Sequence, residues 1–176
     1  LGCFVEKAIK TLHPIYVIHL IRNPLETAKS YVNRNSIPGS AKSVWRPPIT
    51  AKRNLLQLNE ALLTPFQKNL WNWLENELRF HYYKHYFKKT FELSFDDLNK
   101  IEVFEGLFED FKIGYNRKNL IEILNNPPEK CNFYNANRQK TVISADDIEE
   151  AKAFVALLKK EKVKLDIERF NDDFYL

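Results

Sequence analysis

A short apolar run that ends in Arg-Asn-Pro constrains the fold more than any other stretch of this chain. Residues 15–21 (IYVIHLI) are mostly β-branched and apolar, which is typical of a buried strand in a parallel sheet. Asn23 suits a helix N-cap and Pro24 suits the first helical position, so the pattern predicts a helix over 24–33. The run is therefore a strand–turn–helix unit with Arg22 at its turn.

Arg22 lies where the predicted strand ends and a helix is about to begin. Ligands of open parallel sheets bind at the carboxyl ends of the strands. The backbone amides of a helix N-terminus attract anions, and a guanidinium donates two parallel hydrogen bonds to a phosphate. Ser30 adds a hydroxyl about two turns into the same helix. The sequence thus predicts a phosphate site formed by Arg22, Ser30 and the helix N-terminus.

The segment RNPLETAKSY resembles the 3′-phosphate-binding motif of the sulfotransferases that use 3′-phosphoadenosine 5′-phosphosulfate (PAPS). In that family an Arg ends a strand, Asn-Pro or Asp-Pro often follows, and a Ser lies eight residues after the Arg. Arg22 and Ser30 match this pair. The resemblance implies an α/β, P-loop NTPase-like sulfotransferase fold, here a helix-rich portion with a small parallel sheet. It also implies transfer of a sulfuryl group from PAPS to a hydroxyl or amine of a small-molecule or carbohydrate acceptor.

Two later segments extend the resemblance. FELSFDD is similar to the family's segment in which an aromatic residue at a strand end lies near the adenine, and Phe95 matches that residue. Asp96 and Asp97 match the acidic pair that begins the next helix, and they also fit a simple capping role. In the family a basic loop before the final helices closes on the 3′-phosphate. Arg138 lies in the corresponding loop of this chain and matches a second arginine that binds the phosphate. This loop lacks the glycine and tryptophan that are usual in the family.

Hydrophobic spacing gives the remaining elements. A second strand is predicted at 91–95, parallel to 15–21, with 15–21 as a central strand. Gly114 is the expected C-cap turn after the helix at 101–111. The loop at 33–50 carries Trp45 and Arg46, which either cover the nucleotide or line an acceptor pocket, or else Trp45 packs down and pins the loop. The predicted helices cover 4–12, 24–33, 52–63, 64–87, 101–111, 116–124 and 144–160.

Composition limits the other classes of function. A length of 176 residues suits one domain over 1–176, and no run of apolar residues is long enough to cross a membrane. The net charge of +4 is concentrated in residues 1–60, which suits a polyanionic small molecule and is too weak to indicate nucleic acid. Two cysteines without metal-ligand spacing and the lack of an Asn-x-Ser/Thr sequon indicate a cytoplasmic protein with no metal site.

The sequence has no glycine-rich phosphate cradle of the G-x-x-x-x-G-K-[ST] type. The family's catalytic Lys and base lie on such upstream segments, so no catalytic residue is assigned and the chain is expected to be a portion of a longer enzyme. A non-catalytic nucleotide-binding or scaffolding module of the same fold is the main alternative. A fragment of a P-loop kinase is a third reading, although that class does not require Arg and Ser eight residues apart. The oligomeric state is left open.

Overall fold

The computed structural model describes residues 5–12, 16–43, 46–126 and 141–161. The strands are β1 (Tyr16–Ile21) and β2 (Lys89–Ser94). The helices are α1 (Val5–Thr11), α2 (Pro24–Asn33), α3 (Pro65–Tyr83), α4 (Ile101–Phe111), α5 (Arg117–Asn125) and α6 (Ala145–Lys160).

The chain divides into two compact units that alternate along the sequence. The first consists of Leu1–His13, Asn23–Tyr86 and Thr141–Leu176, and the second of Pro14–Arg22 and Phe87–Lys140. The first unit therefore contains α1, α2, α3 and α6, and the second contains both strands with α4 and α5. No helix in the described ranges combines the length and the apolar character that a bilayer crossing needs.

The sheet of the second unit confirms the predicted strand pairing. β1 and β2 are parallel, with Tyr16 opposite Lys89 and Ile21 opposite Ser94. Residues that face each other in this register lie on the same side of the sheet. Helix α4 packs against β2. The ring of Phe111 on α4 makes an edge contact with Tyr16, with ring centroids 5.7 Å apart.

β1 does not take the central position that its apolar sequence predicted. Within the described residues the sheet has two strands, so β1 has a single neighbour. Its residues alternate in exposure, and Tyr16, Ile18 and Leu20 are 48%, 47% and 49% exposed. Apolar composition alone does not distinguish a strand with two neighbours from a strand with one, because that difference depends on what pairs with its edge.

Helix α3 organises the first unit. Thr64 and Gln67 form the capping box at its start, each side chain accepting a hydrogen bond of 3.2 Å from the other's backbone N–H. Helices α2 and α6 both pack against α3. The apolar core of this unit comprises Leu25, Ala28, Ile49, Leu56, Leu63, Phe66, Leu70, Trp71, Trp73, Leu74, Ala151, Phe154 and Leu158.

The predicted helix over 52–63 is wrong. This segment consists of turns and ends in a short 3₁₀ helix, Glu60–Leu62. The Glu75 carboxylate on α3 accepts the backbone N–H groups of Leu55 and Leu56, at 2.9 and 2.8 Å. The indole N–H of Trp71 donates to the carbonyl of Leu56 at 3.0 Å. Hydrogen bonds to α3 thus replace the ones that a helix would make within itself, and local leucine spacing does not reveal such partners.

The predicted helix over 101–111 is confirmed, but its predicted C-cap turn at Gly114 is wrong. Lys112, directly after Phe111, takes the left-handed conformation with φ 54° and ψ 42°. Its N–H donates to the carbonyl of Glu109 and the N–H of Ile113 donates to that of Phe108, at 3.1 and 2.8 Å. Glycine is preferred in this conformation because it has no Cβ, but the hydrogen bonds hold a lysine there.

Candidate functional site

Arg22 and Phe95 meet at the carboxyl ends of the two parallel strands, within the second unit. Because Ile21 lies opposite Ser94 in the register, the residues that follow them are also neighbours. The guanidinium carbon of Arg22 lies 4.8 Å from the centre of the Phe95 ring, which is a cation–π contact. Two residues predicted to contact the same nucleotide, 73 positions apart in the sequence, are therefore side by side.

The Phe95 ring stands at the start of a 3₁₀ turn that follows β2 directly. The Ser94 hydroxyl caps this turn by accepting the N–H of Asp96 at 3.3 Å. Phe95 is 38% exposed although Arg22 lies against its ring. Part of the surface of Phe95 is thus accessible to a ligand.

The acidic pair beside Phe95 begins this 3₁₀ turn and not helix α4, which starts at Ile101. Asp97 forms an ion pair with Lys100, with 2.5 Å between carboxylate oxygen and ammonium nitrogen. The hydrogen bond with Asp97 raises the pKa of Lys100 above its ordinary value, and the charge of Asp97 adds to that effect. Asp97 is therefore engaged locally, and its negative charge is partly compensated at the strand end.

The N-terminus of α2 differs from the prediction that its amides bind a phosphate. Asn23 is the N-cap, as predicted, and its side-chain oxygen accepts the N–H groups of Leu25 and Glu26, at 2.9 and 3.1 Å. The first helical residue, Pro24, has no N–H to donate, and the N–H of Thr27 already donates to the Asn23 carbonyl at 3.0 Å. The chain itself therefore satisfies the N–H groups of Leu25, Glu26 and Thr27.

Ser30 is half-buried on α2, in the first unit, whereas Arg22 belongs to the second unit. The eight-residue spacing between them stays the sole basis for predicting that they bind one phosphate. Arg138 and Trp45 lie outside the described residues. The described part of the chain holds no cluster of three or more histidine, cysteine or acidic side chains of the kind that binds a metal ion.

Sequence reasoning missed the buried polar groups of the first unit. Glu75 and Arg79 form a buried ion pair on α3 with 2.6 Å between nitrogen and oxygen. Their spacing of four residues is a signal that was available in the sequence. Arg46, which the sequence assigned only broadly to a binding loop, is buried among hydroxyl and amide groups. Its partners come from separate segments, so no local pattern predicts them.

Comparison with protein-family models, with curated proteins and with solved structures gives no significant match to this chain.

Proposed function

We propose that this chain binds the adenosine 3′-phosphate portion of PAPS at the carboxyl ends of β1 and β2. Arg22 binds the 3′-phosphate and Phe95 packs against the adenine. We further propose that it serves a sulfotransferase, which moves a sulfuryl group from PAPS to a hydroxyl or amine acceptor. The contact between Arg22 and Phe95 is the observation that carries this proposal.

The geometry of that contact supports the assignment. Stacking on an aromatic ring engages the flat face of a guanidinium, while its N–H groups point outward in the guanidinium plane. In-plane donors are the ones that bind two phosphate oxygens side by side. Phe95 thus orients Arg22 before any ligand arrives, which lowers the entropy that binding must overcome.

The chain's own residues act on nucleotide position, not on the transferred group. PAPS supplies the sulfuryl group, and transfer of this kind depends mainly on alignment and on stabilisation of developing negative charge. Arg22 at the 3′-phosphate fixes the nucleotide and thereby aligns the reacting end. Its removal should consequently affect affinity more than the chemical step.

Binding of two nucleotides that differ in one phosphate tests the assignment. Isothermal titration with adenosine 3′,5′-bisphosphate and with adenosine 5′-monophosphate isolates the 3′-phosphate. Arg22→Ala should weaken the bisphosphate by about ten- to a hundred-fold, or roughly 1.5–3 kcal/mol, and leave the monophosphate nearly unchanged. Phe95→Leu should weaken both, by roughly two- to ten-fold, because it loses stacking with the shared adenine, and the bisphosphate more than the monophosphate, because Arg22 also loses the ring that orients it.

Arg117→Ala is the matched control, because it removes one exposed positive charge from the same unit. It should leave both affinities unchanged. Unchanged bisphosphate affinity in Arg22→Ala would remove the basis of the proposal. Ser30→Ala separately tests the sequence spacing, with an expected cost of about 0.5–1.5 kcal/mol for the bisphosphate alone.

A non-catalytic nucleotide-binding module is the second candidate. The observation in its favour is that Arg22 and Phe95, the residues that meet at the strand ends, act on the nucleotide and not on the transferred group. A transfer assay with labelled PAPS and a panel of hydroxyl and amine acceptors distinguishes the two. Binding of the bisphosphate without transfer to any acceptor would favour the module.

A further inference from the structure

Arg46 is a buried cation in the first unit whose described partners are all uncharged. Arg46 is 9% exposed. Its Nε donates to the Ser43 hydroxyl at 2.9 Å, Nη1 to the Asn69 side-chain oxygen at 2.7 Å, and Nη2 to the Ser36 hydroxyl at 2.7 Å. These neutral groups fix the guanidinium in place and leave its charge uncompensated.

The loop backbone aligns the polar side chains that surround this cation. The N–H of Ser43 donates to the carbonyl of Ser40 at 2.9 Å, and the N–H of Arg46 donates to that of Ser43 at 3.0 Å. Side chains three residues apart in such 3₁₀-type turns lie above one another. Gly39, with φ 78°, precedes the run, and a Cβ there would lie 2.9 Å from the Cβ of Pro48. A close approach of two loop segments therefore fixes the arrangement.

The Arg46 guanidinium lies over an aromatic ring. Its central carbon is 4.1 Å from the ring centre of Tyr31 on α2. Burial lowers the pKa of Arg46 from its ordinary value, although a guanidinium remains protonated at any physiological pH. Burying a charge without an opposite charge costs free energy. Within the described ranges no carboxylate makes an ion pair with Arg46, so the fold carries this cost.

Hydrogen-bond donors outnumber acceptors in this cluster. A guanidinium has five N–H groups, and the three bonds to Ser36, Ser43 and Asn69 use three of them. The Ser40 hydroxyl is buried and makes no hydrogen bond with the described residues. The hydroxyls of Ser36 and Ser43 already accept from Arg46, and the Ser36 hydroxyl donates to the Ser43 oxygen at 3.5 Å. An excess of donors around a buried cation is the chemistry of an anion site.

From this arrangement we infer that the Arg46 cluster, defined as Arg46 with Ser36, Ser40 and Ser43, binds one oxyanion of the sulfate or phosphate type. The guanidinium supplies the charge and two N–H donors, and the hydroxyls of Ser40 and Ser43 supply the remaining hydrogen bonds. Free inorganic sulfate or phosphate and the sulfate or phosphate ester of a larger molecule share this chemistry. The site is composed entirely of residues of the first unit.

Thermal unfolding in sulfate at constant ionic strength tests the inference. A bound anion stabilises the folded state by mass action, so the melting temperature should rise and then saturate. At about ten times the dissociation constant the rise should be roughly 3–6 °C. Sulfate also stabilises proteins non-specifically, without saturation, and variants separate the two effects. Inorganic phosphate and phenyl phosphate form the other arms, and a larger saturable shift with phenyl phosphate would identify an ester as the better ligand.

Arg46→Met should abolish the saturable rise, whereas Lys42→Met, which removes an exposed positive charge from the same loop, should retain it. If Arg46→Met does not fold, Ser40→Asp decides the question. A carboxylate at the buried hydroxyl would act as a built-in counter-ion, so Ser40→Asp should melt higher without sulfate and lose the saturable response. Saturable stabilisation by sulfate in Ser40→Asp equal to that of the wild type would overturn the inference.

The two proposed sites are separable by experiment. Arg22→Ala should keep the full sulfate response, and Arg46→Met should keep its affinity for adenosine 3′,5′-bisphosphate within about twofold. Absence of a saturable sulfate, phosphate or phenyl phosphate response in the wild type would refute the Arg46 cluster as an anion site, whatever the outcome of the nucleotide titrations.

Discussion

Single residues define this molecule's two candidate anion sites, and both sites use an arginine whose guanidinium lies over an aromatic ring. Arg22 lies on Phe95 at 4.8 Å and Arg46 lies on Tyr31 at 4.1 Å. The surroundings differ, because Phe95 is partly exposed whereas Arg46 is buried. Exposure suits a ligand that enters and leaves the strand ends. Burial suits an anion that becomes part of the folded loop.

Lys112 gives a test at the same scale. A left-handed lysine costs roughly 1–2 kcal/mol more than a glycine there, and part of that gain is lost to the greater freedom of glycine in the unfolded chain. Lys112→Gly should therefore stabilise the protein by about 0.5–1 kcal/mol in urea unfolding. Gly114→Ala is the control, because Gly114 is not in the left-handed region and has open space around its Cβ position. Gly114→Ala should leave the stability nearly unchanged. If it destabilises the protein, Gly114 and not Lys112 is the residue that ends α4.

At the scale of elements, polar side chains tie the helices of the first unit together. Asp147 caps α6 through Ser144 and also pairs with Lys29 on α2, with 2.8 Å between Nζ and each carboxylate oxygen. Gln67 on α3 donates to the carbonyl of Glu150 on α6 at 3.0 Å. These contacts orient the helices that the apolar core holds together.

Asp147 predicts how stability depends on pH. Burial by itself raises the pKa of Asp147, but the hydrogen bonds from Lys29 and Ser144 outweigh it and hold that pKa below its ordinary value. A carboxyl with a lowered folded-state pKa stabilises the fold above its unfolded-state pKa of about 3.9, and this contribution disappears as the pH falls through the folded-state value. Asp147→Asn should cost about 1.5–3 kcal/mol at pH 7 and progressively less below about pH 4.

The control for this measurement is Asp146→Asn, in the same helical turn but exposed. It should change the free energy of unfolding by less than about 0.5 kcal/mol at any pH. Urea unfolding between pH 3 and pH 7 provides the comparison. If the free energies of unfolding of the wild type and of Asp147→Asn differ by the same amount from pH 3 to pH 7, the role of the ionised carboxylate is contradicted.

On the scale of the whole molecule, the buried apolar residues are unequally shared. The large core belongs to the first unit, where Leu70, Trp71 and Leu74 of α3 are fully buried. In the described part of the second unit, the buried apolar side chains are Leu93 and Leu107, each 5% exposed. The first unit should accordingly be the more stable part of the chain.

Hydrogen exchange measures this inequality residue by residue. Amides of α3 should open only with global unfolding, while those of α4 and α5 should exchange at least about tenfold faster through local opening. Leu74→Ala should speed exchange in α3 by an amount that corresponds to about 2–5 kcal/mol. Equal protection in α3 and α5 would contradict the unequal distribution of stability.

Local sequence determined the elements whose signals are contained within a few residues. Asn23 and Pro24 gave the start of α2, Thr64 and Pro65 that of α3, and the apolar run gave β1, because caps and periodicity act over one or two turns. Of the candidate site, the sequence singled out Arg22 and Phe95 separately, at the end of each strand. Their adjacency follows from the register of β1 and β2, which neither short stretch of sequence contains.

Tertiary structure alone decided what depends on partners distant in the chain. The segment 52–63 is not helical because Glu75 and Trp71 take its backbone hydrogen bonds. The N–H groups of Leu25 and Glu26 at the start of α2 donate to the side chain of Asn23. The proposed phosphate contact therefore rests on Arg22 and not on these amides. The sequence placed Arg46 only in a binding loop, and its role as a candidate anion site rests on its burial beside the hydroxyls of Ser36 and Ser43. Burial and the pairing of distant groups are properties of the packed chain, and no short stretch of sequence contains them.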